Sequence, residues 1–420
     1  MNFMKKENVR NAVLIGSLCS VSYLAVYVAR NVLSAVSPQM IEQSGFTNEY
    51  IGSVSSVYFI FYAVGQLING AIGDKIKARY MISFGLILSG VTNLIFPYLA
   101  ETPETAKFVY GMTGFFLSMI YGPMTKVVAE NTEPLYATRC SLGYTFASFL
   151  GSPAAGLLAA FLTWQSVFMA SSVILFVMGA VCLLMFGHYE KIGIVKYHQY
   201  DKPKSERKGS IRVLLRHRIV KFTLVAVLTG IVRTTVVFWL PTYIAQYLGF
   251  SPEQSATIFT AATLCISATA FISVFLYERL GHDMDKTILV VFTSSAISFF
   301  LVYLIKQPVM NIVFMVLAIM SANAAATMLW SRYCPSLRDT GMVSSATGFL
   351  DFMSYMSASI SSTIFANAVT AIGWGNLILV WCGLMVIGVV VALPYEKFRK
   401  KREKICQKIK FLLTNEKNVI

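Results

Sequence analysis

Residues 27–46 read YVARNVLSAVSPQMIEQSGF, and residues 230–250 read GIVRTTVVFWLPTYIAQYLGF. Each stretch places one arginine, Arg30 or Arg233, inside a long apolar run, and the spacing that follows repeats. Pro38 comes eight positions after Arg30, Gly45-Phe46 fifteen and Asp74 forty-four. Pro241 comes eight positions after Arg233, Gly249-Phe250 sixteen and Glu278 forty-five. A guanidinium stays protonated at any physiological pH, and holding it in hydrocarbon costs at least about 2.5–3.5 kcal/mol. Meeting that cost at equivalent places in two halves implies a shared polar cavity. A cavity faced by two cations suits an anion.

The surrounding composition says what solvent the chain expects. Of 420 residues, 56% are hydrophobic and only 13% charged, with a mean hydropathy of +0.64. Soluble domains carry about 25% charged residues, so this chain is built for a bilayer. Twelve apolar windows recur, at about 11–37, 49–71, 80–99, 106–129, 140–162, 166–187, 219–247, 254–277, 286–305, 309–330, 342–370 and 374–394. Each is long enough as a helix to cross about 30 Å of hydrocarbon. The expected fold class is therefore an all-α membrane protein of twelve transmembrane helices. Lys5, Lys6 and Arg10 precede the first window without a small-residue cleavage site after it, so that helix is read as retained, not as a signal peptide.

Lysine and arginine set the orientation. The N-terminus, the Lys75-Ile76-Lys77-Ala78-Arg79 turn, the loop from Lys191 to Arg218 and the tail from Lys397 to Lys410 are all basic. With twelve spans they fall on one side, which the positive-inside rule makes cytoplasmic. The expectation is a multi-pass protein of the cell membrane with both termini cytoplasmic. The net charge of +15 is then topological, and nucleic acid is not an expected partner because no soluble domain presents the charge. The tail can touch anionic lipid headgroups, at about 1 kcal/mol per basic residue.

Chemistry-bearing motifs are sparse. Cys19, Cys140, Cys182, Cys265, Cys334, Cys382 and Cys406 stand singly, and His188, His198, His217 and His282 lie in loops or at helix ends. Neither set has metal-ligand or redox spacing, so no metal and no cofactor are expected. No phosphate-cradling glycine loop, nucleophile elbow or paired catalytic carboxylates occur, so an enzyme is not expected.

The long polar stretch from His188 to Arg218, with Lys202-Pro203-Lys204-Ser205-Glu206-Arg207-Lys208-Gly209 inside it, cannot bury a core. It divides the chain into a six-helix half at 1–187, a cytoplasmic linker at 188–218, a second six-helix half at 219–394 and a basic tail at 395–420. In each half a first helix carries the arginine, a proline follows near its outer end, and Gly-Phe precedes the next helix. Ser251-Pro252-Glu253-Gln254 has the capping-box spacing, with proline at the first helical position. Six-helix halves with a site between them near midplane describe the major facilitator superfamily.

A resemblance narrows this further. Gly65-Gln66-Leu67-Ile68-Asn69-Gly70-Ala71-Ile72-Gly73-Asp74-Lys75-Ile76-Lys77-Ala78-Arg79 resembles the loop between helices 2 and 3 of that superfamily. Tyr27 to Leu33, Pro38, Gly45-Phe46 and Ile51-Gly52-Ser53 resemble the organophosphate:phosphate antiporter family, as does Arg233 followed by Trp239-Leu240-Pro241-Thr242-Tyr243. The likeness extends to Gly122-Pro123, Thr347-Gly348-Phe349 and Gly373-Trp374. It implies that Arg30 and Arg233 bind a phosphoryl group from opposite halves, and that a sugar phosphate or glycerol phosphate is exchanged for inorganic phosphate. It also implies that Tyr27 and Tyr23 line the cavity and that Gly70, Asp74 and Arg79 serve gating.

Beside the arginines, helical spacing groups further candidates. Tyr23, Tyr27, Arg30 and Ser34 share a face of helix 1, and Tyr58, Tyr62 and Gln66 share one on helix 2, with Asn69 close by. Phenols and amides there can hydrogen-bond an oxyanion or simply pack between helices. Asp351 is the only carboxylate deep in an apolar run; it can neutralise one arginine, accept hydrogen bonds from sugar hydroxyls, or take a proton. Either way the cavity keeps a net positive charge. Lys126 either faces substrate or snorkels to water. Tyr144 and Ser148 on helix 5, and Asn323, Thr327 and Ser331 on helix 10, suit helix–helix contacts as well as a ligand. Trp239 can stack on a sugar ring or pack.

Departures from the resembled family matter for the cargo. Gln66 stands where members often have lysine, Ala147 where glycerol-phosphate carriers have histidine, and Asp351 where many have a small residue. Two cations fewer and one anion more weaken the pull on a dianion. The expected function is a secondary active carrier, a monomer, exchanging a small organic anion for a counter-anion such as phosphate. The competing readings are a proton-coupled symporter of organic anions such as sugar acids, and a non-transporting sugar-phosphate sensor.

Overall fold

The computed structural model describes residues 2–73, 76–196, 215, 217–337 and 343–393. Asp74, most of the 188–218 linker and the 395–420 tail lie outside the described residues. Among the described residues every regular element is helical, and twelve membrane-crossing units follow one another. In the first half these are α1 (Asn2–Ser44), α2 (Asn48–Gly73), α3 (Ala78–Leu99), α4 (Pro103–Leu117 and Tyr121–Asn131), α5 (Pro134–Phe161) and α6 (Trp164–Lys191). In the second, α7 joins Ile219–Gly230, Ile231–Val236 and Val237–Gln246, and α8 joins Pro252–Ser267 and Thr269–Arg279. Next come α9 (Met284–Leu304) and α10 (Pro308–Met328 continuing into Leu329–Tyr333). The helix Val343–Ala392 turns at Gly373 (φ 75°, ψ 167°), and its two arms are α11 and α12.

Local chemistry explains the boundaries. Proline opens α4, α5, α8 and α10, at positions where a missing N–H costs nothing. Ser251 and Gln254 form the reciprocal capping box at the start of α8. The repeated Gly-Phe is a helix stop. Gly45 and Gly249 both take positive φ (70° and 78°), a conformation glycine adopts without penalty. The bonding around them also repeats: Gly45 N–H donates to Ile41 O and Phe46 N–H to Met40 O, as Gly249 N–H donates to Ala245 O and Phe250 N–H to Ile244 O.

Four features depart from unbroken helices, one of them the step at Ala268 in α8. Instead of a single run over 106–129, α4 breaks across residues 118–120. Pro123 lacks an N–H, and its ring crowds the carbonyl four residues back, at Met119. Two helices contain π segments, Ile231–Val236 in α7 and Leu329–Tyr333 in α10, each widening the backbone by a residue per turn.

Successive helices alternate direction, so each half has an end near the linker and an opposite, far end. The halves meet along α2–α11, α5–α8 and α1–α7. Their hydrogen bonds cluster from the far end to mid-depth. Ser37 and Thr242 hydroxyls bond at 2.7 Å, Ser34 donates to Phe238 O at 2.7 Å, and Ser56 pairs with Ser359 at 2.9 Å. Asn48 and Gln246 exchange amide bonds at 3.2 and 3.3 Å, and Thr370 donates to Glu49. Glycine lets the backbones close: a Cβ at Gly52 would sit 2.4 Å from Ala366 Cβ and 2.9 Å from Ser362 O. Within membranes such interhelical bonds contribute only about 0.6 kcal/mol each. The far-end seam is therefore tight in geometry but modest in energy.

The close approach of Ser37 and Thr242 makes the seam testable. In the variant Ser37→Cys/Thr242→Cys, mild oxidation should form a disulfide, seen as a mobility shift that reducing agent reverses. Failure to cross-link would contradict the closed far end.

Candidate functional site

Below the seam a cavity of about 620 Å³ lies between the halves, within the range of small-molecule sites. Its walls are the linker-end parts of the helices: Ser141 and Thr145 near the start of α5, Ser331 at the end of α10, Thr347 near the start of α11, and Gln66 toward the end of α2. The cavity therefore opens toward the linker end and is roofed at mid-depth by Arg30.

Arg30 lies against three tyrosine rings. Its guanidinium carbon is 5.2 Å from the centroid of Tyr27, 5.2 Å from Tyr62 and 4.9 Å from Tyr355. One guanidinium N–H donates to the Tyr355 hydroxyl at 2.8 Å, across the interface between the halves. Cation–π contacts contribute about 0.5–1 kcal/mol each when exposed and about 2 when desolvated. Three faces and a phenol oxygen thus offset much of the burial cost while leaving the charge uncancelled. Gly151 of α5 makes room for Tyr27: a Cβ there would come within 2.3 Å of Tyr27 Cβ.

Arg233 faces the cavity from the π segment of α7. Gly230, one turn earlier, touches α11 so closely that a Cβ would lie 2.4 Å from Ser354 Oγ. That contact brings Arg233 to the helix bearing Thr347, Asp351 and Tyr355, spaced by four and so on one face. Ion pairs among the described residues lie elsewhere, as with Arg218 and Lys221 on Asp285 at 2.7 and 3.2 Å. No described residue forms an ion pair with Arg30, Arg233 or Asp351. Among the described residues these three are the charged groups lining the cavity, and with Asp351 ionised their net charge is one positive.

Of the residues singled out from the sequence, Tyr23, Tyr27, Arg30, Tyr62, Gln66, Arg233 and Asp351 all line this cavity, as do Ser148, Asn323, Thr327 and Ser331. Tyr144, Lys126, Trp239, Ser34, Tyr58 and Asn69 stand outside the lining. Tyr144 is buried one layer behind, its ring 6.0 Å from Tyr23 and 6.2 Å from Tyr121. Lys126 is half-buried on the second arm of α4. Trp239 is fully buried in the seam, edge-on to Phe238 and Trp374, so it has no free face for a sugar ring in this conformation. Tyr58 packs on Tyr110 at 5.1 Å, and Asn69 donates to Ser118 of α4 at 2.7 Å. Gly70 lies within α2; Arg79 reaches Glu190 at 3.8 Å, tying the start of α3 to the end of α6.

Sequence reasoning missed Tyr355 and Tyr121. Tyr355 follows Asp351 by one helical turn, a signal that was present in the spacing. Tyr121 reaches the lining because α4 breaks just before it, placing its ring 5.5 Å from that of Tyr23.

Residues 19–362 match the Major Facilitator Superfamily. The chain belongs to that family. A point mutant of a nucleoside transporter of known structure superposes with a TM-score of 0.71 at 14% identity, covering 90% of this chain and 98% of that one. At that identity the likeness shows the twelve-helix fold alone. Among relatives in sequence, a glycerol-3-phosphate transporter of Bacillus subtilis is 26% identical over 271 residues, 59% of this chain and 60% of that protein. A phosphoglycerate transporter protein of Salmonella typhimurium is 22% identical over 391 residues, 86% of this chain and 84% of its own length.

The tyrosine cage gives a stability prediction. Tyr355→Phe keeps the ring under Arg30 and removes one charge-assisted bond, which should cost about 1.5–3 kcal/mol. Tyr355→Leu removes ring and bond and should cost more. Thermal unfolding in detergent should rank wild type above Phe above Leu; equal midpoints would contradict the cage.

Proposed function

We propose that this protein is a carrier that exchanges a phosphate monoester for inorganic phosphate across the cell membrane by alternating access. The observation that carries this reading is the pair of guanidiniums, one from each half, facing a single hydroxyl-rich cavity without an ion-pair partner. A phosphoryl group offers oxygens to both, and guanidiniums grip such oxygens through two parallel N–H bonds each. The names of the sequence relatives, glycerol-3-phosphate and phosphoglycerate transporters, support the same class.

In this reading Arg30 and Arg233 bind the anion, Tyr23, Tyr27, Tyr62 and Gln66 complete its shell on one side, and Asp351 faces the cargo's hydroxyls. The linker end is cytoplasmic, residues 188–218 and 395–420 lie in the cytoplasm, residues 1–187 and 219–394 move as two bodies, and the carrier works as a monomer. Without cargo the two cations repel across the cavity, so an empty carrier reorients slowly and transport is obligatory exchange. Gly70, Asp74 and Arg79 act at the linker-end gate.

The test is counterflow in proteoliposomes loaded with phosphate and offered glycerol phosphate, hexose phosphates or hexuronates. Uptake of a phosphate ester should require phosphate on the opposite side, and Arg30→Lys should lower its kcat/KM by about tenfold or more through loss of one bidentate contact. Uptake indifferent to phosphate on the opposite side would overturn exchange.

Asp351 favours one second reading, proton-coupled symport of an organic anion, because it brings a carboxyl between two arginines. There, Asp351→Asn should abolish uptake driven by a pH gradient while exchange persists. Under the exchange reading, no pH-gradient-driven uptake occurs in either protein.

A further inference from the structure

The α2–α11 pairing holds polar groups that the closed seam leaves without partners. The two helices run antiparallel, with Glu49 bonded by Thr370, Gly52 against Ser362 and Ala366, Ser56 bonded to Ser359, and Tyr62 against Tyr355. Ser362 of this pairing and Ser55, the residue before Ser56 on α2, are both buried, and neither hydroxyl has a hydrogen-bond partner among the described residues. Trp239 of α7 meets the same place: its ring lies 3.3 Å from where a Cβ on Gly52 would stand. Its indole N–H is also fully buried and unpartnered.

A buried donor without an acceptor is destabilising, while an apolar residue of the same shape in its place can be nearly neutral. Parting of the halves at the far end would give these groups room for partners. Ser55, Ser362 and Trp239 then become wall on the route from that side to Arg30 and Arg233. Hydroxyls can donate or accept, but an indole N–H only donates, so the set as a whole suits an acceptor-rich guest.

From this we infer an outer oxyanion subsite: Ser55, Ser362 and Trp239 donate to phosphoryl oxygens of cargo arriving from the far side, before it reaches the arginines. This rests on the carrier reading above. Being neutral, the donors hold a phosphate weakly enough to release it inward to the two cations. The subsite exists in one conformation only, so it acts on one direction of loading.

The experiment measures KM for radiolabelled inorganic phosphate in sealed vesicles of each orientation, with saturating unlabelled phosphate inside. Ser55→Ala/Ser362→Ala removes unpartnered hydroxyls and threatens no folded contact. Trp239→Phe keeps a ring against Gly52 and loses only the N–H. Each variant should raise the KM for phosphate presented at the far face by about five- to tenfold, the loss of one or two hydrogen bonds to an anion. The KM at the linker face should stay within about twofold of wild type on the same scale. Equal changes at both faces, opposite changes that signal a shifted conformational balance, or no change at either would overturn the subsite while leaving the carrier reading intact. Absence of phosphate exchange by the wild-type protein would overturn both.

Discussion

A guanidinium inside a helical bundle must be neutralised or caged, and the choice decides what the bundle can do. Arg30 is caged: three tyrosine faces and one phenol oxygen surround it, and among the described residues no carboxylate pairs with it. An ion pair with Asp351 would have been a simpler way to bury the charge, but it would have used the cation up. Aromatic faces stabilise the cation while leaving its attraction for an oxyanion intact. With Arg233 presented from the opposite half and Asp351 lining the same cavity without an ion-pair partner among the described residues, the cavity suits an anion.

The same balance runs through the interface between the halves. At the far end the contact is close, with Gly52 of α2 against α11, hydroxyl bonds at Ser56 and Thr370 along the same pair, and others between α1 and α7. Those bonds are individually weak in a membrane, so closure relies on many small contacts and not on a strong lock. Arg30 donates to Tyr355 across that interface, at the level where the seam gives way to the cavity. An anion that draws on Arg30 competes with Tyr355 for the same donors, which links occupancy of the cavity to the contacts that roof it.

Much of this could be read from particular residues. Arg30, Arg233 and Asp351 announce themselves because charge in an apolar run is costly. Gly45 and Gly249 repeat because both halves end their first helix by the same left-handed turn. The helix spans followed from length and hydropathy. Other features left weaker traces. The π segments of α7 and α10 have no periodic signature, since one extra residue in a turn leaves an apolar run looking apolar. The break in α4 was written in Gly122-Pro123, but its consequence, Tyr121 in the lining, needs three dimensions. A tyrosine on an apolar helix looks the same whether it packs, as Tyr58 and Tyr144 do, or cages a cation, as Tyr355 does. Trp239 is the sharpest case: nothing in its spacing distinguishes a ring buried in the seam from one that lines the cavity.

The central claim is that Arg30 and Arg233 grip one anion together. The most direct measurement is a double-mutant cycle on phosphate binding to the purified protein, using Arg30→Gln, Arg233→Gln and the pair. Two cations sharing one phosphoryl group should be strongly coupled, so the double variant should bind hardly worse than either single one. Independent, additive losses would show that the two arginines serve different sites, and would contradict the account.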